Sequence, residues 1–371
     1  MSKLNYLTIL YPSPMKIKDI TQYLESIAPL AYQESYDNAG LIVGNPNAEC
    51  EKALICLDSI EAVVDEAIEL GCNLIIAHHP IVFGGLKKFT GKNYIERTVI
   101  KAIKNDIAIY AAHTNLDNVR QGVNAKIAEK LGLQNCEILA PKKNLLKQIS
   151  VMCPLAQADA LRQALFNVGV GYVGDFNNTS FNVLGVSTFE DSSMQQQAQQ
   201  GEIKIEAIYP APIEGRVLKA IRQAHPHSKP TYTILALGNR YQQVGSGMIG
   251  ELSEPVNEKE FLQTLKNNMQ TPCVRHTALR RKKVRKVAVC GGAGSFLLGA
   301  AMARGADVFV TADYKYHQFF DAEGKIVIAD IGHYESEQFT MELFQELLQK
   351  KFSNFAAVLS NTNTNPVKYF I

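Results

Sequence analysis

No apolar run in this 371-residue chain approaches the roughly 20 residues that a membrane-spanning helix needs. There is no excess of charge either. Lys and Arg number 38 and Asp and Glu 36, a net +2, which gives no global reason to expect nucleic acid or a membrane as partner. No CxxC pair occurs. The seven cysteines, an odd number, lie mostly in or beside apolar runs, as at Cys56, Cys72, Cys153 and Cys290. That argues against a disulfide framework and for reduced, buried thiols in a cytoplasmic protein. The first fourteen residues lack the charged start and apolar core of a signal peptide. They end in Pro12-Ser13-Pro14, Met15 reads as a natural start, and residues 1–14 are taken as an extension outside the fold. What remains, 46% hydrophobic and 20% charged, is an ordinary globular composition with length for two or three domains.

Short apolar strands and amphipathic helices alternate through the first 140 residues. Ile17, Ile20, Tyr23, Leu24, Ile27 and Ala28 form a helical stripe over 16–29. Strands are predicted at 40–44, 53–57, 74–77 and 107–112, and helices at 60–70, 94–104 and 123–131. Ser59 is a candidate N-cap and Gly132 a candidate C-cap. Asp37-Asn38 reads as turn chemistry. This alternation predicts an α/β fold, a largely parallel sheet flanked by helices. From about 145 the pattern changes to β-α-β, β-α-β: strands at 146–152, 180–186, 203–209 and 231–237, helices at 156–166 and 214–224, and a loop through the glutamines at 195–200. That order predicts a ferredoxin-like α+β domain inserted at 145–270, between core segments 15–144 and 271–371. The α/β style then resumes, with a long helix from His333 and a last strand over 356–359.

Chemistry-bearing residues collect at predicted strand ends. The run Leu74-Ile75-Ile76-Ala77 has no alternation and reads as a strand buried on both faces. His78-His79-Pro80 follows it, and Pro80 ends the strand, so that both imidazoles serve one site if the backbone turns there. His113 and Asp117 follow the strand at 107–112, and His317 and His333 follow later strands. His333 and Glu337, spaced i, i+4, share a helix face, whereas Glu335 points elsewhere. His78, His79, Asp117, His333 and Glu337 make three imidazoles and two carboxylates. That set suits Zn, Mn or Fe better than Mg or Ca, and five ligands fit two metal ions sharing a carboxylate. Gly291-Gly292-Ala293-Gly294-Ser295 joins a strand to a helix, and Gly292, Gly294 and Ser295 are candidates for holding phosphate. Gly85–Asn93 has neither the spacing nor the Ser/Thr of a P-loop. The basic run 280–286 reads as a solvated strand entry, and His225-Pro226-His227 as a surface loop.

Ser35-Tyr36-Asp37-Asn38-Ala39-Gly40, Ala77-His78-His79-Pro80, His113-Thr114-Asn115-Leu116-Asp117, Gly291–Ser295 and His333-Tyr334-Glu335-Ser336-Glu337 resemble, in order, the motifs of the dinuclear metal-centre family, the GTP cyclohydrolase 1 type 2 homologues. The resemblance covers nearly all of Met15–Ile371. It implies that the five residues are metal ligands with Glu337 as the bridge, and that the insert is similar to PII and CutA proteins. It also implies a homohexamer, a trimer of dimers. The implied function is a metal-dependent hydrolase acting on a nucleotide such as GTP, by ring opening at C8, or on a related small molecule. His113 and His317 are then candidate catalytic, proton-transferring groups. The alternative is a non-enzymatic metal-binding assembly that senses a ligand or partner through its insert.

Overall fold

A computed structural model describes residues 15–172, 176–191 and 196–370. Residues 1–14, taken above as an extension, lie outside the described residues. The chain divides into two units: the described residues up to Ala140 together with those from Ser246 on, and Pro141–Gly245.

In the first unit the elements up to the insert are α1 (Ile17–Ile27), β1 (Gly40–Val43), β2 (Lys52–Asp58), α2 (Glu61–Glu69), β3 (Leu74–His79), α3 (Tyr94–Lys104), β4 (Ala108–Ala111), α4 (Thr114–Asp117), α5 (Val123–Lys130) and β5 (Gln134–Lys143). β2, β3 and β4 pair in parallel, with Ala53 opposite Leu74 and Leu74 opposite Ala108. Leu74 to Ala77 are fully buried, as a strand covered on both faces requires. One local detail departs from sequence expectation. Ile60, not Ser59, holds the N-cap position of α2, because β2 runs on through Asp58. Asn93 caps α3, accepting from the Glu96 amide at 2.8 Å, while the Glu96 carboxylate accepts from the amides of Thr90 and Lys92.

The second unit holds β6 (Leu146–Pro154), α6 (Ala158–Asn167), β7 (Phe181–Asp191), β8 (Gln196–Pro210), α7 (Glu214–Ala224) and β9 (Tyr232–Leu237). Its sheet order is β7-β8-β6-β9, with antiparallel pairs throughout. Its apolar core is its own: Ile149, Val151 and Cys153 of β6 and Ile203 and Ile205 of β8 pack with Leu161, Leu165, Val217 and Ile221 of the helices. The glutamines assigned to a loop lie in β8 from Gln196 on, paired with Ser187–Asp191; a waiting partner strand outweighs weak β-propensity. Gln195 lies outside the described residues. His225 is not on the surface. It is buried, and its Nε2 lies 2.8 Å from the Met152 carbonyl.

The first unit resumes at Ser246, within β10 (Arg240–Asn257), and continues with α8 (Glu258–Asn268), β11 (Arg275–His276), β12 (Lys283–Ala293), α9 (Leu298–Ala303), β13 (Val308–Ala312), β14 (Val327–Asp330), α10 (His333–Glu337), α11 (Thr340–Lys351) and β15 (Ala356–Leu359). Residues 246–270, counted with the insert by sequence, therefore belong to this unit, where β10 pairs with β12. Two mixed sheets result, ordered β1-β4-β3-β2-β15 and β11-β14-β13-β12-β10-β5. Each is parallel at its centre and gains an antiparallel strand where it widens, β1 in one and β10 and β11 in the other. Of the basic run, Arg280 is tied down rather than solvated, donating to the Asp307 carbonyl at 2.9 Å and facing Glu258. The helix predicted from His333 breaks after Glu337. This lets α10 serve the strand ends while Leu343, Phe344 and Leu348 of α11 fill the core.

All seven thiols are free. Those of Cys50, Cys56, Cys72, Cys153 and Cys290 are buried, and burial pushes their ionisation up, to about 12 for Cys50. Cys136 and Cys273 are only partly buried, although burial raises Cys136 too, so a mild alkylating reagent should reach these two alone in the folded protein, Cys136 the more slowly, and all seven in denaturant. Mass spectrometry reads the count; rapid native labelling of Cys56 or Cys290 would contradict the packing described.

Candidate metal centre

β3 delivers two imidazoles at once. The strand stays regular through His79, which pairs with Asp58, so the backbone has not turned as the sequence reading required. Instead the rings lean to opposite neighbours. His78 Nδ1 donates to the Ala112 carbonyl just beyond β4 (2.9 Å), and His79 Nδ1 donates to Asp58 Oδ1 at the end of β2 (2.7 Å). Their centroids are 4.9 Å apart. A carbonyl and a carboxylate take the proton of each Nδ1, so Nε2 is the nitrogen each ring turns toward the cluster and the one that offers a lone pair whenever the ring is neutral.

α4 is one turn long and is pinned by the buried Asn115, which accepts from the His113 amide and donates to the Ala28 carbonyl. The turn brings Asp117 Oδ1 to 3.6 Å from His78 Nε2. α10 brings the other two. His333 Nδ1 donates to Asp313 Oδ2 (2.7 Å), so its Nε2 also faces inward, 3.3 Å from His79 Nε2. The buried Glu337 lies in the middle. Its Oε2 is 3.0 Å from His79 Nε2 and 3.1 Å from His333 Nε2, and its Oε1 is 3.8 Å from His78 Nε2. Glu335, two residues earlier, turns away and accepts from Asn365.

Gly292 makes room for this carboxylate. It sits at φ +60°, and a Cβ there would lie 2.5 Å from Glu337 Oε1. The amides of Gly291 and Gly292 already donate to Asn124 and to Ser336 Oγ, so this stretch of the loop holds the protein's own groups rather than a phosphate. Ser295 Oγ accepts from Gln318. His113 joins the cluster, with its ring 5.3 Å from that of His78 and 5.4 Å from that of His79. His317 does not. It is exposed and packs beside Tyr316 and Phe320.

The electrostatics ask for a cation. Burial raises the Glu337 carboxyl, but the imidazoles of His333, His78 and His79 outweigh it and hold the group well below its usual range. Burial draws His79 down, yet its bonds to Asp58 and Glu337 push it up to about 9. Glu337 pushes His333 up to about 11, against burial and with help from Asp313. Burial and then Glu337 push Asp117 well above the carboxylate range, and burial lowers His78. His78 Nε2 and Asp117 Oδ1 are buried without a hydrogen-bond partner. Ring nitrogens converging on two carboxylates, with two buried atoms left unpartnered, fit a bound dication. Three overlapping trios could hold one: His79, His333 and Glu337; His78, Asp117 and Glu337; and His78, His79 and His113.

Sequence reasoning missed the groups behind the cluster. Asp37, read as turn chemistry, takes a hydrogen bond from His113 Nδ1 (2.8 Å) and from the amide and hydroxyl of Thr114; burial opposes ionisation, but these bonds hold its carboxyl at about 2. Asp58 and Asp313 play the same part for His79 and His333. Their one visible signal was an aspartate closing or following a strand.

A family model described as Duf34/NIF3 (NGG1p interacting factor 3) matches residues 15–366. A relative from Halalkalibacterium halodurans, named GTP cyclohydrolase 1 type 2 homolog, is 36% identical over 364 residues, 94% of this chain and 98% of its own. One of the same name from Bacillus subtilis is 34% identical over 366 residues, 95% of this chain and 98% of its own. The crystal structure of a Bacillus cereus protein related to NIF3 superposes with a TM-score of 0.87 at 36% identity, covering 97% of this chain and 100% of that one.

With His79 at about 9 and His333 at about 11, both imidazoles carry protons at neutral pH, and each proton must leave before Nε2 can bind a metal. Zinc affinity should therefore rise with pH between about 6 and 8.5, by about tenfold per pH unit for each proton displaced. Chelator competition at several pH values measures this. A flat profile would remove these two side chains from the coordination.

Proposed function

This chain belongs to the Duf34/NIF3 family, and we propose that His78, His79, Asp117, His333 and Glu337 hold two divalent metal ions for a hydrolytic reaction. The observation that carries this reading is the division of the Glu337 carboxylate. Oε2 faces His79 and His333, while Oε1 faces His78, which in turn faces Asp117. Two trios sharing one carboxylate are what a bridging ligand requires. The donor set of nitrogen and oxygen favours Zn, Mn or Fe. Such a pair supplies a nucleophile from water at neutral pH and neutralises charge that develops in the transition state.

The chain's own residues orient and shuttle. Asp58 and Asp313 fix the rings of His79 and His333, and the Ala112 carbonyl fixes His78. Asp37 holds His113 by Nδ1, which leaves the other ring nitrogen to take or return a proton during turnover. The names of the relatives suggest a nucleotide such as GTP, with water attacking C8 of guanine and the imidazole ring opening. Two aromatic side chains beside the site support a flat, ring-bearing substrate. Tyr36 is 64% exposed and Phe83 51% exposed; they stack on each other, and Phe83 lies 5.6 Å from the His113 ring. Base–aromatic stacking tolerates any base but needs such an open face.

The insert supports a second reading. Helices after its first and third strands and the order β7-β8-β6-β9 support reading it as a ferredoxin-like domain, of the PII or CutA kind by family resemblance. On that reading the assembly, a homohexamer by family resemblance, senses a ligand through this domain and does no chemistry.

Elemental analysis and turnover against a panel of nucleoside triphosphates, with and without added metal, decide between the two. Metal-loaded protein should turn over at least one member of the panel, and no turnover with full metal content would favour the sensing assembly. Glu337→Gln should lose at least one metal per chain and all activity, whereas Glu335→Gln should keep both metals. The reverse result would refute the bridging assignment. Tyr36→Leu with Phe83→Leu should weaken nucleotide binding about tenfold at unchanged metal content.

A further inference from the structure

We propose that the C-terminal segment Ser360–Asn365 is part of the metal centre, with Thr364 and Asn365 as its positioning residues; this rests on the metal-site reading above. The segment leaves β15, which runs parallel to β2 with Leu359 opposite Ile55, so it emerges at the edge where β2 ends in Asp58. The Ser360 amide continues the ladder, donating to the Ile55 carbonyl at 2.8 Å. The chain is then held to α2 by one carboxylate. Glu66 accepts from the Asn361 amide (2.7 Å), from the Thr362 hydroxyl (2.7 Å) and from the Ser360 hydroxyl.

From this anchorage the segment reaches two groups behind the ligands. The Thr364 hydroxyl donates to Asp58 Oδ2, while Oδ1 of the same carboxylate takes the proton of His79 Nδ1. With both oxygens engaged, the carboxylate plane cannot rotate, and its direction sets the ring of His79. Asn365 Nδ2 donates to Glu335 Oε1 at 3.0 Å, and the Asn365 amide is itself held by Asn363 Oδ1. Glu335 lies on α10 between His333 and Glu337. A five-residue helix has too few internal hydrogen bonds to hold its own orientation, so outside anchors decide where its side chains point. One strand of polar side chains thus braces His79 through Asp58 and braces His333 and Glu337 through Glu335. A segment that merely covered the core would use apolar contacts here and would not touch these two carboxylates.

The test uses the full chain and zinc as probe, with zinc affinity measured by chelator competition and melting temperature measured without metal. Thr364→Val should weaken zinc by about tenfold, the lower end of what losing an outer partner of a metal ligand costs, and Thr364→Ser should return to within about twofold of the parent. Asn365→Ala should weaken zinc similarly. Metal-free melting temperatures should stay near the parent's, since these residues are at most partly buried. His79→Ala serves as the reference. If it binds zinc like the parent, the metal-site reading itself fails. If it loses zinc while Thr364→Val and Asn365→Ala both bind as tightly as the parent, the site stands and the brace is overturned. A fall in melting temperature with unchanged affinity would likewise overturn it, by making the segment a cover only.

Discussion

A single buried carboxylate sets the terms for this fold. Glu337 sits among three imidazole nitrogens within 3.8 Å, out of reach of water, and a lone negative charge in such a place is untenable. Its neighbours answer by holding protons or by offering lone pairs to a cation. Every element nearby is arranged around that demand. β3 ends with two histidines leaning opposite ways, α4 is a single pinned turn, α10 stops after five residues, and Gly292 gives up a side chain. Behind them, Asp58, Asp313 and Asp37 supply a ring of acceptors that fix the imidazoles from outside.

That outer ring also explains the site's charge balance. Three carboxylates hold three Nδ1 protons, so the inward face of the cluster presents ring nitrogens and two carboxylates. A surface ion pair would contribute little, because water competes for both partners. At His79 burial opposes the charge but the bonds to Asp58 and Glu337 outweigh it, and at His333 the charge of Glu337 outweighs burial with help from Asp313, which is why both imidazoles are driven so far from their ordinary range.

Much of this was legible in the amino-acid order, and the boundary between legible and hidden is physical. Unbroken apolar runs mark the central strands, and the i, i+4 spacing of His333 and Glu337 marks one helix face; both are local signals. The division into two sheets was not visible, because nothing local says which strand pairs with which. Residues 246–270 were misplaced for the same reason: β10 is polar over much of its length and declares itself only by pairing with β12. Asp37 looked like any turn aspartate until the fold brought His113 to it from 76 positions away. His225 looked exposed beside a proline, and only its bond to Met152 shows otherwise. Gly292 looked like a phosphate loop because a glycine that admits a side chain and one that admits a ligand are written with the same letter.

The distance along the chain between the two halves of the cluster has a consequence for how the protein is made. His79 and Glu337 are 258 positions apart, and the residues between them include the whole second unit. During synthesis the imidazoles of β3 leave the ribosome long before their carboxylate partner exists, so the nascent chain has no complete chelate to offer. Joining such distant points carries a loop-closure entropy that grows only slowly with length, so the large separation delays the event without making it prohibitive. On the metal-site reading proposed above, capture of a metal then waits for α10, which carries His333 and Glu337. On that reading a chain halted before α10 offers the two histidines of β3 without His333 or Glu337, so the C-terminal elements decide when the chelate is complete.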